Sequence, residues 1–459
     1  MDTGTIEQHY QDLLAQLNQA MLANNHQRVP LLRRIMAHLG HPDHYYHVIH
    51  IAGTNGKGST GAMLASILRA QGYQVGRFSS PAINDAREQL QCNGTWISPA
   101  EFIDTYREIL PVLQNMGLTA SDVSIFEWFF LISVVWFRNQ NVQWAVIEAG
   151  LGGLYDATNA LASPQLTVFT KIALDHTAIL GPTITAIAQN KSKIIKPHTT
   201  AVTLADQHPE ALAVLQTEAL NQGVRLVTAK HAQLTVTGQT LTQTVVDAHS
   251  QLFDWTQLTV GLSGTYQLQN LRLVLTVVAV LQQQQVNLTN SAVRRGLQQV
   301  SLPGRLTVLQ EQPVIIADGA HNPDGMAALV ASVKQLLAGR KLIWIVGVLQ
   351  DKAYPKMLAE LLPVADVLIT NTPANPERAL SATKLADTAN ALLTPTFMTT
   401  AAMQRQPDLL TATTITDALT QAQQQATSNS AIIVTGSFYV IRELQQAGWP
   451  GLSQCRRLG

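Results

Sequence analysis

Residues 47–70 read HVIHIAGTNGKGSTGAMLASILRA, which predicts a strand, a glycine-rich loop and a helix in that order. The strand is His47 to Ala52, an apolar run that stops at the first glycine of the loop. The helix is Gly61 to Ala70, with apolar side chains at helical spacing and Gly72 as its stop. The loop consists of Gly53, Thr54, Asn55, Gly56, Lys57, Gly58, Ser59 and Thr60.

This loop is predicted to bind the phosphates of ATP. Glycines let backbone N–H groups approach phosphate oxygens, and the N-terminus of the following helix adds positive potential. Lys57 brings a mobile cation to the outer phosphates, and Ser59 or Thr60 can hold a magnesium ion.

Other interpretations of the loop are weaker. The strict G-x-x-x-x-G-K-[ST] pattern fails, because Ile51 stands where the first glycine belongs and Gly58 follows the lysine. Gly56, Gly58 and Gly61 also satisfy the G-x-G-x-x-G pattern of dinucleotide-binding folds. That fold needs an acid about 20 residues on, whereas the next predicted strand, Gln74 to Phe78, ends in Ser-Ser-Pro. A purely structural glycine turn is the remaining alternative, and the strand–loop–helix context argues against it.

Similar apolar runs recur along the chain and alternate with helical patterns, which is typical of an α/β fold. The further predicted strands are Gln74 to Phe78, Trp144 to Ile147, Leu166 to Phe169, Val314 to Ala317, Leu342 to Val346, Val367 to Ile369 and Ile432 to Val434. The stretch Val202 to Leu258, rich in Thr, Val and Gln, predicts β-structure laid over the first domain. We therefore expect an ATP-binding domain with a mostly parallel sheet in residues 1–301 and a smaller α/β domain in residues 302–459.

Composition limits the class of protein and its partners. A chain of 459 residues exceeds what one core usually serves, so two or three domains are expected. Lysine plus arginine and aspartate plus glutamate number 30 each, so no net charge attracts nucleic acid or an anionic membrane. No apolar run approaches the ~20 residues of a membrane span, and the polar N-terminus is unlike a signal peptide. We therefore expect a cytoplasmic protein without a nucleic-acid or membrane partner. Its two cysteines, Cys92 and Cys455, are far apart in sequence and are expected to form neither a disulfide framework nor a zinc site.

Polar residues follow several predicted strands. Glu148 ends one of them, and an acid at the carboxyl end of a strand parallel to the phosphate loop is well placed to hold magnesium. His176 follows the next strand, and Asp318 and His321 follow the first strand of the second half. Taken alone, Glu148 is equally an ordinary strand-end charge, His176 is more often structural, and Lys191 belongs by default to a solvated helix face. Together these clusters predict a cleft between two domains.

Nine segments, taken in chain order, resemble one known family. They are HIAGTNGKGST (50–60), SSPA (79–82), EQLQCNG (88–94), IEAGLGGLYDATN (147–159), LDHTAILGPTITAIAQNKSKIIKP (174–197), GTYQLQN (264–270), LPGRL (302–306), DGAHNP (318–323) and GVLQDKAY (347–354). The family is that of folylpolyglutamate synthase and dihydrofolate synthase, part of the Mur ligase superfamily. The resemblance spans nearly the whole chain.

The resemblance implies a fold and an activity. It implies a Mur-ligase-like ATPase domain, a Rossmann-like C-terminal ligase domain and ATP bound between them with two Mg²⁺ ions. The implied reaction joins L-glutamate to the γ-carboxylate of a folate through an acyl phosphate. Formation of dihydrofolate from dihydropteroate and L-glutamate is a second candidate activity, and the chain is expected to act as a monomer.

The resemblance also assigns roles to individual residues. Lys57 would hold the phosphates, and Ser80, Glu148 and His176 would bind magnesium. Lys191 would be the lysine that family members carbamylate, and Lys57, Lys191 and His176 are the predicted catalytic residues. The residues predicted to meet the nucleotide from the adenine side and the C-terminal domain are Asn270, Arg305, Asp318 and His321.

Four positions depart from the family pattern: Ala82, Leu154, Asn190 and Tyr266. Ala82 lies in the segment that contacts the pterin in relatives, so the accepted form of folate stays open. Two alternatives also stay open, namely another Mur-type amino-acid ligase acting on a cell-wall precursor and a nucleotide-binding paralogue that has lost its chemistry. The LDH, KSKIIKP and DGAHNP segments favour the folate branch, and the intact catalytic and metal positions argue against the inactive paralogue.

Overall fold

The computed structural model describes residues 3–17, 27–230, 232–394 and 406–449. Its helices are α1 (Thr3–Gln16), α2 (Arg28–His38), α3 (Lys57–Ala70), α4 (Pro99–Asn115), α5 (Ile125–Asn139), α6 (Thr177–Leu180), α7 (Ile184–Ser192), α8 (Pro209–Asn221), α9 (Thr265–Gln283), α10 (Asn290–Gln299), α11 (Pro323–Leu336), α12 (Tyr354–Leu361), α13 (Ala382–Leu392), α14 (Ile415–Gln425) and α15 (Phe438–Gln446). Short 3₁₀ helices span Pro42–His44, Ala86–Gln89, Ala120–Asp122, Ala157–Ala160 and Leu362–Val364.

The strands belong to three sheets. They are β1 (His47–Ala52), β2 (Val75–Phe78), β3 (Leu90–Cys92), β4 (Thr95–Trp96), β5 (Trp144–Glu148), β6 (Leu166–Phe169), β7 (Thr200–Thr203), β8 (Leu226–Val227), β9 (Gln233–Gln239), β10 (Thr244–His249), β11 (Asp254–Val260), β12 (Thr307–Glu311), β13 (Val314–Ala317), β14 (Lys341–Val346), β15 (Val367–Asn371), β16 (Asp408–Ala412) and β17 (Ser430–Thr435). The predicted strands at 47–52, 166–169 and 314–317 have the observed bounds, and the other predicted strands differ only at their ends.

The largest sheet has the order β4-β3-β2-β5-β1-β6-β7-β8. Neighbouring strands are parallel from β2 through β5, β1, β6 and β7 to β8, whereas β3 is antiparallel to both β2 and β4. Strand β1 lies between β5 and β6, with Ile51 beside Glu148 and Ala52 beside Phe169. The loops that leave these three strands therefore emerge at one edge, where ligands of open parallel sheets bind.

Helices cover both faces of this sheet, which explains the continuous apolar runs of its parallel strands. On one face, α3, α9 and α10 pack in a common core that also includes the three-stranded sheet. On the other face lie α1, α2, α4 and α5, and α5 is almost wholly buried. The phosphate loop is thus fixed between a rigid strand and a rigid helix.

The prediction for Val202 to Leu258 is partly wrong. Strands β7 and β8 extend the large parallel sheet, and α8 lies between them. Only β9, β10 and β11 form a separate antiparallel sheet. The sequence PEALAVLQTEALN of α8 has proline in its first turn followed by good helix formers, so local composition did signal this helix.

The last sheet has the order β12-β13-β17-β14-β15-β16, with β12 antiparallel and the others parallel. Helices cover both of its faces. The predicted fold class, a mostly parallel sheet followed by a second α/β unit, is confirmed. The boundary between residues 301 and 302 stays a prediction, and the sheet begins at Thr307.

In the described part of the chain, none of the helices has the length and apolar character needed to cross a bilayer. Cys92 is half-buried, and burial raises the pKa of its thiol to about 12, which fits an unreactive structural side chain. Cys455 lies outside the described residues.

Candidate active site between the two parallel sheets

A cavity of about 550 Å³ lies where the carboxyl ends of the large sheet face the C-terminal sheet. Its lining includes nearly all of the predicted site residues, namely Gly53, Thr54, Asn55, Gly56, Lys57, Gly58, Ser59, Ser80, Glu148, His176, Lys191, Asn270, Arg305, Asp318 and His321. Thr60 is the exception, because it is fully buried within α3 and does not line the cavity. Residues from eight separate stretches of sequence therefore converge on one space.

Two glycines give the phosphate loop its shape. Gly53 has φ +154° and Gly56 has φ +92°, values that side chains disfavour. A Cβ at Gly53 would lie 1.8 Å from Oγ1 of Thr170, and one at Gly56 would lie 2.1 Å from Oδ1 of Asn270. Because α3 starts directly after Gly56, the N–H groups of its first turn point into the loop, as in anion-binding helix termini.

Lys57 folds back over this loop. Its Nζ donates to the carbonyl oxygens of Gly53 (3.2 Å) and Thr54 (3.4 Å), and lies 3.9 Å from Oε1 of Glu148. The amine is thus held between the loop and an acid, inside the cavity.

Glu148 is a buried carboxylate, 5% exposed, at the end of β5. Burial raises its pKa, although Lys57, Arg77 and Arg305 act in the opposite direction. A carboxylate in such a site gains from a cation that neutralises it, and oxygen ligands of this kind suit Mg²⁺.

His176 is predominantly neutral at physiological pH. Its pKa is lowered to about 4, chiefly by burial; Asp175 acts in the opposite direction, and Lys352, His321 and Lys191 add to the lowering. A neutral imidazole is the form that binds metal ions, so the electrostatics of His176 fit its predicted role.

Lys191 is buried, 4% exposed, and its Nζ donates to the carbonyl oxygen of Gly53 at 2.8 Å. Burial lowers its pKa to about 7, and the charge of Lys57 acts in the same direction. The default interpretation of this stretch as a solvated lysine face is therefore wrong for Lys191. Lys193 and Lys196 also have partners, Glu218 and Asn159.

Asp175 joins the two halves of the cleft, and the pattern analysis did not single it out. Its Oδ1 accepts from Nζ of Lys352 at 3.0 Å, and its Oδ2 accepts from Nδ2 of Asn322 at 3.0 Å. Burial opposes ionisation, but His321, Lys352 and His176 outweigh it and hold the pKa of Asp175 well below its usual range. Its position after β6, within the quoted LDH segment, was the available signal.

The phosphate loop is also bonded directly to the start of α11. The side-chain amides of Asn55 and Asn322 exchange hydrogen bonds of 3.1 and 3.0 Å. Asn55 donates in addition to Oδ2 of Asp324 at 2.8 Å, and Asp324 pairs with Lys171. These bonds tie the loop that is predicted to hold ATP to the C-terminal α/β unit.

Asp318 lies at the end of β13 and is engaged by three internal donors. Its Oδ2 accepts from the hydroxyl of Tyr266 (2.7 Å) and from N–H of Leu306 (2.9 Å), and its Oδ1 accepts from N–H of Ala320 (2.9 Å). Burial raises its pKa against the nearby Arg305. Asp318 faces the cavity while it also fixes the loops around it.

Two of the four departures from the family pattern have a clear structural role. Tyr266 supplies one of the three donors to Asp318. Oδ1 of Asn190 accepts from N–H of Gly153 at 2.9 Å and so anchors the Gly-Gly loop, to which Leu154 also belongs. Ala82 lines the cavity, and its carbonyl oxygen accepts from Arg442 of α15 at 3.4 Å.

A second cavity of about 490 Å³ adjoins the first. Both are lined by Gly58, Ser80, Glu148 and Arg305, so a molecule in the second cavity can reach the phosphate loop. Its lining also includes Trp96 and the arginines at 69 and 77, and Arg77 donates to the carbonyl oxygen of Gly58 at 3.3 Å. An aromatic surface beside cationic groups suits a flat, anionic molecule.

Two family descriptions match the chain. Residues 132–278 match the Mur ligase middle domain, and residues 304–438 match the Mur ligase, glutamate ligase domain. These spans include Glu148, His176 and Lys191 and the C-terminal residues of the cleft, and they confirm the predicted resemblance.

Individual proteins are similar over almost the whole chain. The dihydrofolate synthase/folylpolyglutamate synthase of Bacillus subtilis is 31% identical over 421 residues, which cover 90% of this chain and 93% of that protein. The Mycobacterium tuberculosis folylpolyglutamate synthase complexed with ADP and AMPPCP has a TM-score of 0.83 at 28% identity, over 97% of this chain and 99% of that one. Escherichia coli FolC in complex with DHPP and ADP has a TM-score of 0.80 at 25% identity, over 96% and 97% of the two chains.

Proposed function

The chain belongs to the dihydrofolate synthase/folylpolyglutamate synthase family of Mur ligases and is an ATP-dependent ligase, and we propose that it joins L-glutamate to the γ-carboxylate of a folate. Addition of L-glutamate to dihydropteroate is the second proposed reaction, because the Bacillus subtilis relative carries both names. The observation that carries the proposal is the single cavity in which the phosphate loop, buried Glu148 and Lys191 meet the C-terminal sheet.

We propose that Ser80, Glu148 and His176 hold Mg²⁺, in a site that accommodates two ions together with ATP. The fit rests on the chemistry of the donors, since Glu148 is buried beside cations and His176 is neutral. When bound, Mg²⁺ neutralises the charge that develops on the transferring phosphoryl group.

The chain's own residues supply positioning and charge. A carboxylate is a poor acyl donor, so its oxygen first takes the γ-phosphoryl group of ATP and ADP leaves. Lys57 follows the phosphoryl group from its place over the loop, and the N–H groups at the start of α3 hold the β-phosphate. The amine of glutamate then attacks the acyl carbon, phosphate leaves, and the amine loses a proton to give the amide. Enclosure between the two sheets keeps both substrates in place and limits attack by water.

We propose that Lys191 is carbamylated in the active protein. Only a neutral amine adds to CO2, and a pKa of about 7 leaves much of Lys191 neutral at physiological pH. The addition forms a new N–C bond and releases one proton, which converts the side chain into an anion. An anion at this place would help Glu148 to retain metal ions, whereas the ammonium form would repel them.

We further propose that the nucleotide is contacted by Asn270, Arg305, Asp318 and His321. Two other proposals concern the organisation of the protein: its domains are residues 1–301 and 302–459, and the chain acts as a monomer. Light scattering tests the monomer, and limited proteolysis near residue 302 tests the boundary.

An ADP-release assay tests the proposed reaction. ATP is supplied with tetrahydrofolate plus L-glutamate, with dihydropteroate plus L-glutamate, and with a cell-wall precursor plus an amino acid. We expect turnover with one or both of the first pairs, dependent on both substrates. Turnover with the third pair alone would identify another Mur-type ligase, and nucleotide binding without turnover on any pair would identify an inactive paralogue.

A further inference from the structure

The turn between α2 and β1 brings together three side chains that metal ions favour. Its sequence is His41-Pro42-Asp43-His44, and its 3₁₀ helix spans Pro42–His44. One ring nitrogen from each histidine and one carboxylate oxygen of Asp43 all lie within 4.8 Å of one another. The two imidazole rings stack with their centroids 4.7 Å apart and their planes 8° from parallel.

Asp43 gives an independent reason to expect a ligand here. The residue is only 5% exposed, and its Oδ2 accepts from N–H of Ala162 at 3.0 Å. Its Oδ1 is buried and makes no hydrogen bond to any residue in the described ranges. A buried carboxylate oxygen without a partner is costly, and a cation held beside it removes that cost.

We propose that His41, Asp43 and His44 bind one divalent transition-metal ion, with Zn²⁺ as the preferred ion and water as the fourth ligand. Two imidazoles and a carboxylate suit zinc, whereas Mg²⁺ and Ca²⁺ prefer oxygen ligands throughout.

Metal binding would require the two imidazole rings to rotate out of their parallel stack, while the backbone of the turn can stay in place. With metal–ligand bonds of about 2.1 Å, the ligand atoms of a tetrahedral site lie roughly 3.4 Å apart. Separations of no more than 4.8 Å therefore close by about 1.4 Å at most through rotation of two exposed rings. The backbone of the turn is already fixed, because N–H of His44 donates to His41 (3.0 Å) and N–H of His41 donates to Met36 (2.8 Å).

The site is separate from the ligase cleft, since none of its three residues lines either cavity. Through Asp43 and Ala162 the ion joins the turn before β1 to the segment after the 3₁₀ helix Ala157–Ala160. Its expected role is structural, and it does not depend on the proposed reaction. The ion should therefore raise the melting temperature rather than the rate of ligation.

Zinc titration of the chelator-treated full chain, prepared without a polyhistidine tag, tests the site. Calorimetry gives the affinity and native mass spectrometry counts the ions. The test variant combines His41→Asn, chosen because asparagine tolerates the positive φ of 52° at this position, with His44→Gln. His38→Gln is the matched control, an exposed histidine three residues before the cluster. His176→Gln accounts for zinc that enters the cleft.

We expect the wild type, His38→Gln and His176→Gln each to bind one Zn²⁺ at this site. The double variant should lack this ion or bind it more than about tenfold more weakly. That ion should raise the melting temperature of the wild type and not of the double variant, and MgCl2 should not replace it. Circular dichroism confirms that the double variant is folded. Equal zinc stoichiometry and affinity in the wild type and the folded double variant would overturn the proposal, as would no zinc bound to the wild type outside the cleft.

Discussion

Glu148 and Asp318 occupy matching places in the two parallel sheets, yet their surroundings differ. Each is a buried carboxylate at the carboxyl end of a strand, facing the same cavity, with its pKa raised by burial. Asp318 accepts three hydrogen bonds from its own protein, whereas Glu148 forms a 3.9 Å ion pair with Lys57. Position at a strand end therefore identifies both carboxylates, and only their partners distinguish an acid that holds the protein together from one that is available to a metal ion.

The largest effect should come from removing the cation beside Glu148. Lys57→Ala should lower kcat for ligation by about 10³-fold or more, because the transferring phosphoryl group loses its mobile positive charge. Steady-state ADP release measures the loss, and the exposed Lys230→Ala serves as the matched control. Near-normal turnover of Lys57→Ala would refute the role given to this lysine.

Glu148→Gln sharpens the comparison between the two acids. The change keeps the shape of the side chain but removes its charge, so kcat should fall by about 10²-fold and the Mg²⁺ concentration for half-maximal rate should rise. The free energy of unfolding at neutral pH should stay equal or increase, because burial raises the pKa of Glu148 and its charged form therefore costs stability. A pure loss of stability with unchanged magnesium dependence would contradict the proposed metal-binding role of Glu148.

If the carbamate of Lys191 supports the metal ion, depletion of CO2 should lower the ligation rate by about tenfold. This is the size of effect expected when a group that supports a metal ligand is lost. Because the pKa of Lys191 is lowered to about 7, its amine becomes protonated as the pH falls through that value. The response to added bicarbonate should therefore be slower and smaller below pH 7 than above it. Carbon NMR with ¹³C-labelled bicarbonate observes the carbamate directly, and its absence in Lys191→Ala identifies the site. A ligation rate that does not change with the CO2 concentration at any pH would argue against carbamylation.

Tyr266→Phe tests the structural side of the comparison and should have the smallest effect on the reaction. It removes one of the three donors to buried Asp318, so the free energy of unfolding should fall by about 1–3 kcal/mol. Chemical denaturation measures this change. Ligation should stay within a few-fold of wild type, because Asp318 keeps its charge and its two backbone donors. A loss as large as that of Glu148→Gln would show that the bond from Tyr266 is needed to position Asp318 for the reaction.

Strand patterns in the sequence were sufficient to locate the phosphate loop, Glu148 and His176, since these residues directly follow or lie close to the ends of strands. The buried position of Lys191 was not readable from its own segment, because burial of a helical lysine depends on what packs over it. Asp175 contacts Asn322 and Lys352, which lie 147 and 177 positions further along the sequence. Only the packing of the two sheets brings these side chains together. The helix α8 was missed because the surrounding Thr- and Val-rich stretch outweighed its local helix-forming sequence.

The central claim is that this cleft transfers the γ-phosphoryl group of ATP to the carboxylate of a folate acceptor. Ligation of acceptor labelled with ¹⁸O in that carboxylate tests it most directly, with mass analysis of the phosphate released. An acyl phosphate intermediate requires one ¹⁸O atom to appear in the phosphate for each amide formed. Amide formation with unlabelled phosphate would contradict the account.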